Sequence, residues 1–378
     1  VTSHPWTTTG VPDGAGRDGE RRPRLTWADA ARGLAIVLVV LYHAADWFRM
    51  AGFDTRDLQQ VNMALRSLRM PLFFAVSGMF AARWVAGGWG ALARGKLALL
   101  LWVFWIWEAV TAVVRLLLGM RGYAEEVWPT VVREILLAPL VPRTELWFLW
   151  TLAVFFVVAR ATRRLPPAVQ VGAAALVAAF ALTGWNVQNL AWRGVAEYLV
   201  FFLGGLHLRA FLERLATTLT WLRSLAIVVV WGAVVAVARV LELEDVPGVY
   251  LLCGAAGVLA GIVVARALSR LGPLRRLGAR TLPVYVAHAA FLLLIAILSG
   301  RAVLAFYDPL GQSLPPGLLT GLPGWGWATH PWPLTNLLPL LATPLVVWLG
   351  LRLQDLAVRA GAWWLYEPPW QPGRRLTA

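Results

Sequence analysis

The stretch Asp29-Ala30-Ala31-Arg32-Gly33-Leu34-Ala35-Ile36-Val37-Leu38-Val39-Val40-Leu41-Tyr42-His43 reads as one apolar helix, with an acid and a cation at its start and an imidazole near its far end. At 100° per residue, the steps from Arg32 to His43 end about 20° past three full turns, so both side chains share one face, about 16 Å apart along the axis. With Arg32 at one interface of a bilayer, His43 lies just past the middle of its core. An ionisable group there faces protein or a water-filled cavity and is a functional candidate. The plain structural alternative is a histidine satisfied by a neighbouring helix, with Arg32 an interfacial anchor.

The rest of the chain has the same character. Its 378 residues are 59% hydrophobic and 14% charged, with a mean hydropathy of +0.65, against roughly 25% charged in soluble domains. That excludes a soluble globular protein. The net charge is +14, and every cation except Lys96 is Arg. These cations are scattered between apolar stretches rather than gathered in a patch, which argues against a nucleic-acid partner. The lone Cys253 sits in an apolar run, makes no internal disulfide and reads as a small packing residue.

A bilayer core of about 30 Å takes about 20 mostly apolar residues per helix. Ten stretches come near that: 32–50, 67–85, 97–118, 145–161, 168–185, 193–211, 221–241, 248–268, 281–299 and 335–353. The expected fold is all-α and polytopic, with about ten transmembrane helices. An even number puts both termini on one side, and Arg and Lys fall roughly two to one in the loops that share that side, which makes it the cytoplasmic one. Residues 1–25 are polar and Gly/Pro-rich, without the apolar core of a signal peptide, and read as a disordered cytoplasmic tail. Residues 26–356 form the membrane domain and 357–378 a second cytoplasmic tail. The 22 Trp suit headgroup level, although Trp102, Trp105 and Trp107 fall inside a span and read as packing. No internal repeat relates the two halves, which weakens a transporter reading. The long segments 119–144 and 300–334, the latter with Trp325, Trp327, His330 and Trp332, lie on the opposite side from the termini.

Five motifs stand in order along this frame. They are Asp29-x-x-Arg32-Gly33 with ten residues between Arg32 and His43; Pro71-Leu72-Phe73-Phe74-Ala75-Val76-Ser77-Gly78; Leu146-Trp147-Phe148-Leu149; Phe201-Phe202-Leu203-Gly204; and Leu277-Gly278-x-x-Thr281-Leu282-x-Val284-Tyr285-x-x-His288. Together, over residues 25–355, they resemble the acyltransferase 3 family of integral membrane O-acyltransferases. The resemblance implies transfer of an acyl group, commonly acetyl, from cytoplasmic acyl-coenzyme A to a hydroxyl, usually of a sugar, often on the other side of the membrane. It implies no tightly bound cofactor and no metal ligand; acyl-coenzyme A is a co-substrate. The expected partners are membrane lipid, acyl-coenzyme A and a carbohydrate or glycoconjugate acceptor, in the plasma or inner membrane. Some family members carry an extra hydrolase-like domain, for which the sequence after its last span leaves no room.

On that resemblance His43 is the general base on the acceptor hydroxyl, since a histidine with an ordinary pKa near about 6.5 suits proton transfer at neutral pH. Transient acylation of the same imidazole is the rival. Arg32, charged in almost any environment, holds the donor or orients the site, and Asp29, three residues before it, positions or pairs with it. For the coenzyme phosphates the candidates are Arg94 and Lys96, near the place of a closer arginine pair in the family, and Arg270, Arg275, Arg276 and Arg280. Tyr285 and His288 add a second polar contribution to the cavity. Glu108, near the centre of the third span, pairs structurally or serves a polar cavity, with Arg115 on its face. Ser77 reads as packing beside Gly78, and Glu197, His207, Asp46 and Arg239 as snorkelling to an interface. Two other classes stay open: a proton-coupled transporter or exporter using Glu108, His43 and Arg115 as a relay, and a non-catalytic partner in polysaccharide assembly.

Overall fold

The computed structural model describes residues 25–51, 53–117, 132–133, 135–142, 144–181, 189–307 and 333–370. The N-terminal tail, most of 119–144, residues 308–332 and the end of the C-terminal tail lie outside the described residues, as do the side chains of Arg115 and His330. Among the described residues there are helices and no strands.

Helix α1 (Thr26–Met50) is the hub. Its small residues Ala28, Ala30, Ala31, Gly33 and Ala35 are all buried, so five neighbours approach it closely: α2 (Arg56–Met79), α11 (Val249–Leu268), α12 (Gly272–Ala279), α13 (Thr281–Tyr307) and α14 (Pro333–Arg359). Two contacts are backbone-tight. A Cβ on Gly278 would come within 1.7 Å of the Asp29 carbonyl oxygen, and one on Gly33 within 2.2 Å of that of Leu274. Only glycine permits this crossing of α12 over the start of α1, which fixes the Arg32 end of the helix.

After α2 the chain runs through two short helices, α3 (Ala82–Ala86) and α4 (Trp89–Leu92), and a π-helical segment at Ala93–Leu97 into α5 (Ala98–Leu117). A second layer follows: α6 (Trp147–Thr162), α7 (Pro167–Phe180) and α8 (Leu190–His207). Asn189 caps α8 by accepting from the backbone N–H of Ala191 and Trp192, the arrangement expected of an N-cap asparagine. Helix α8 packs along α2, where Gly205 meets the Ala75 carbonyl and Gly78 that of Phe202, and turns by 76° into α9 (Arg209–Thr218). Helix α10 (Trp221–Val240) stands at the periphery, with 11% of its apolar window buried against 61% for α1.

Each of the ten expected windows falls on a helix, but their lengths and polarity differ from the expectation. Among the described residues six helices are long and apolar enough to cross a membrane: α1, the continuous stretch Trp89–Val114 that takes in most of α5, α10, α11, α13 and α14. Helices α6 and α7 have 16 and 14 residues. Helix α2 starts eleven residues before the expected window, and its added turns carry Asn62 and Arg66. The C-terminal tail is in part packed structure. Trp107 Nε1 donates to the Leu365 carbonyl at 2.8 Å, Trp102 Nε1 to that of Trp364 at 2.7 Å, and the Tyr366 side chain is fully buried.

Candidate active site

Two cavities open from opposite ends of α1. The first, about 600 Å³, lies at its N-terminal end, where α2 ends and α5 and α13 begin. Among the described residues that line it, four are cations, Arg32, Arg83, Lys96 and Arg209, and none is a carboxylate. The guanidinium of Arg32 sits over the Phe80 ring at 4.4 Å, with that of Arg209 near the same ring at 5.6 Å. Asp29 is 3.9 Å from Arg32, the i, i+3 neighbour expected from the sequence. Arg209 also pairs with Glu213 at 2.6 Å.

The second cavity, about 330 Å³, lies toward the C-terminal half of α1 and is lined by His43, the first turns of α2, and the starts of α6 and α8. Arg32 and His43 therefore share a helix face and enter different cavities. The two cavities have three lining residues in common, Phe73, Phe148 and Tyr285. All three are buried, with ring centroids 4.6 Å apart for Phe73 and Phe148 and 5.4 Å for Phe148 and Tyr285. The Tyr285 hydroxyl donates to the Glu145 carbonyl at 2.6 Å and accepts the backbone N–H of Phe148 at 3.2 Å. That pair of bonds ties the start of α13 to the start of α6 and fixes the aromatic partition.

His288 stacks against this assembly from α13. Its ring centroid is 5.0 Å from that of His43; its Nδ1 contacts the Tyr285 carbonyl oxygen, and its Nε2 is buried without a hydrogen-bond partner. A ring nitrogen against a carbonyl is the donor, which leaves Nε2 of the neutral ring as an acceptor.

The other expected site residues are dispersed. Arg94 is exposed, donates to the Gly90 carbonyl at 3.3 Å and lines neither cavity, although Lys96 does. Arg270, Arg275, Arg276 and Arg280 also line neither; Arg280 is held by Gln354 and Asp355 at 2.7 and 2.5 Å. Glu108 is buried, accepts from the Thr144 hydroxyl and stands outside both cavities.

Glu197 is a correction. It does not snorkel: it is 3% exposed and receives Arg193 at 2.7 Å and Arg66 at 3.1 Å in the wall of the second cavity. Arg66 and Arg69 are likewise wall residues of a helix; a rule that places cations in loops counts both with the loops of the side opposite the termini. The signal that finds them is spacing, since Asn62, Arg66 and Arg69 stand at i, i+4 and i+7, one helical face.

A family model described as an acyltransferase domain matches residues 25–352, the whole of this assembly. No curated protein and no solved structure matches the chain.

Proposed function

Because the chain belongs to the acyltransferase 3 family and is accordingly a membrane acyltransferase, we propose that it moves an acyl group, acetyl in the first instance, from acyl-coenzyme A to a hydroxyl of a carbohydrate-containing acceptor. The observation that carries this reading is the pair of cavities at the two ends of α1, parted by Phe73, Phe148 and Tyr285. In this reading α2, α6, α7 and α8 cross the bilayer with the six longer helices, giving ten spans with both termini cytoplasmic, in the plasma or inner membrane. The first cavity then opens to the cytoplasm and the second to the opposite side.

The first cavity suits the donor. Arg32, Arg83, Lys96 and Arg209 on its wall favour the phosphates of a coenzyme, and guanidinium forks match phosphate oxygens geometrically. The apolar wall of Leu99, Leu100, Leu149 and Leu152 suits the pantetheine arm that carries the thioester toward the partition. Asp29 positions Arg32 rather than meeting substrate.

The second cavity suits the acceptor. His43 removes the proton from the acceptor hydroxyl as its oxygen attacks the thioester carbonyl. The tetrahedral intermediate collapses, the carbon–sulfur bond breaks, and the thiolate leaves to take up a proton as free coenzyme A. His288, its ring centroid 5.0 Å from that of His43, buttresses the imidazole by packing and contributes without touching substrate.

The test is release of coenzyme A thiol from acetyl-coenzyme A by the purified protein in lipid nanodiscs, with cell-surface glycan extract as acceptor. Release that disappears in His43→Ala supports the reading. Equal release by a folded His43→Ala variant removes His43 from the chemistry, and solute movement without thioester consumption replaces the transferase with a transporter.

A further inference from the structure

The second cavity holds more polar machinery than a hydroxyl transfer needs. On α2, Asn62, Arg66 and Arg69 share one face, and all three line the cavity with Arg193 and Glu197 of α8 and with Glu145. Arg66 and Arg193 converge on the one carboxylate of Glu197. Arg69 makes no such pair. It is 5% exposed, its guanidinium lies over the Tyr42 ring at 4.3 Å, and its Nη1 is buried without a hydrogen-bond partner. Asn62 is 1% exposed, and both its amide oxygen and its amide nitrogen are buried and unpartnered.

A buried donor left without an acceptor carries an uncompensated desolvation cost, larger when the donor is charged. Two such side chains, seven residues apart on the same helix face and both in a cavity wall, point to a ligand that completes them. The unmatched groups also specify its chemistry. A guanidinium calls for an anionic oxygen group; an amide nitrogen donates to the same group, and an amide oxygen accepts from a neighbouring hydroxyl.

We propose, on the premise of the transferase reading above, that the acceptor is anionic: a polyhydroxylated molecule whose carboxylate or phosphate is bound by Arg69 and Asn62. The Arg66–Glu197–Arg193 cluster holds the wall in which they sit. Anchored on α2, the acceptor presents a hydroxyl to His43 on α1, across the same cavity. A neutral sugar leaves the Arg69 Nη1 unsatisfied and is selected against, since a site built to hydrogen-bond a group discriminates strongly against analogues that lack it.

One test needs no turnover. Thermal unfolding of the full chain in nanodiscs is followed with glucuronate, glucose 6-phosphate and glucose at equal concentrations. At least one of the two anions raises the melting temperature and glucose does not; the larger anion effect tells carboxylate from phosphate. Asn62→Asp, which puts a carboxylate on the same cavity wall as Arg69, abolishes the rise, as does Arg69→Gln; should the latter fail to fold, Asn62→Asp carries the comparison. Equal shifts with all three compounds, or none with any, overturn the proposal. In a second arm, glycan extract treated with enzyme and radiolabelled acetyl-coenzyme A is separated by anion exchange. Label in the retained fraction is the expected result, and label confined to the neutral fraction overturns the anionic acceptor while leaving the transferase intact. Charge-selective binding without thiol release in either fraction overturns the transferase reading instead.

Discussion

The imidazole rings of His43 and His288 lie 5.0 Å apart, centroid to centroid, on two helices that pack together at the centre of the fold. One ring lines a cavity, and the other is buried with an unpartnered Nε2, so the two are expected to differ on mutation. His43→Ala lowers turnover by about 10²–10⁴-fold, the usual contribution of a positioned general base. His288→Phe keeps the ring volume and removes the accepting nitrogen. It lowers turnover less and leaves the KM for acetyl-coenzyme A unchanged. Thiol-release kinetics on both variants, with melting temperatures alongside, check this; a loss in His288→Phe as large as that in His43→Ala would give that residue more than a packing role.

The partition of Phe73, Phe148 and Tyr285 is expected to keep thioester and water apart. Phe73→Ala removes one ring from the wall that both cavities share. Truncating a buried phenylalanine costs about 3–5 kcal/mol, so the melting temperature falls. In the protein that remains folded, acetyl-coenzyme A is hydrolysed faster in the absence of any acceptor, because a closed site is what protects a reactive group from water. Thiol release without acceptor, compared between wild type and variant, reads this directly. An unchanged background rate would mean that the partition is no barrier.

Much of this was legible in the sequence, and the parts that were not have physical causes. The apolar windows located the helices, and the short motifs marked close crossings as well as chemistry: Gly278 is the crossing of α12 over α1, and Gly78 that of α2 with α8. Arg32, His43 and Tyr285 of the motifs fall on cavity walls, as does Lys96, a candidate for the coenzyme phosphates, whereas Arg94 does not. Charge counting misled at α2. A rule that assigns arginines to loops has no place for Arg66 and Arg69, whose buried face points into a polar cavity, and a hydropathy average penalises that same helix. Glu108 shows the converse. An acid deep in a span reads as either structurally paired or serving a polar cavity, and Glu108 stands outside both cavities, accepting from the Thr144 hydroxyl 36 residues on.

Glycine substitutions separate crossings from incidental positions. Gly278→Ala would force its methyl group onto the Asp29 carbonyl, a backbone atom that moves only if α1 and α12 part. The expected outcome is a large loss of stability, beyond the about 1–3 kcal/mol of ordinary overpacking, and loss of donor binding with it. Gly204→Ala is the control, since nothing lies within 4 Å of the added carbon. Alanine favours a helix over glycine by about 0.8–1.0 kcal/mol, so this variant is as stable as wild type or more so. Detergent-solubilised melting curves of the pair decide it; a tolerated Gly278→Ala would show that the crossing has slack.

Arg32 is expected to act on the donor through both its charge and its plane. The guanidinium lies over Phe80 and within reach of Asp29 at the wall of the larger cavity, so both its plane and its charge are set at that wall. Arg32→Lys preserves the charge but loses the fork and the stacked plane, and Arg32→Ala loses all three. A charge-assisted hydrogen bond is worth about 1.5–3 kcal/mol, on the order of tenfold or more in affinity. The KM for acetyl-coenzyme A therefore rises about tenfold or more in Arg32→Ala and by a smaller factor in Arg32→Lys, while the KM for the acceptor is unchanged because that molecule occupies the other cavity. If the acceptor KM moves and the donor KM does not, the assignment of the two cavities is reversed, and the same pair of titrations would show it.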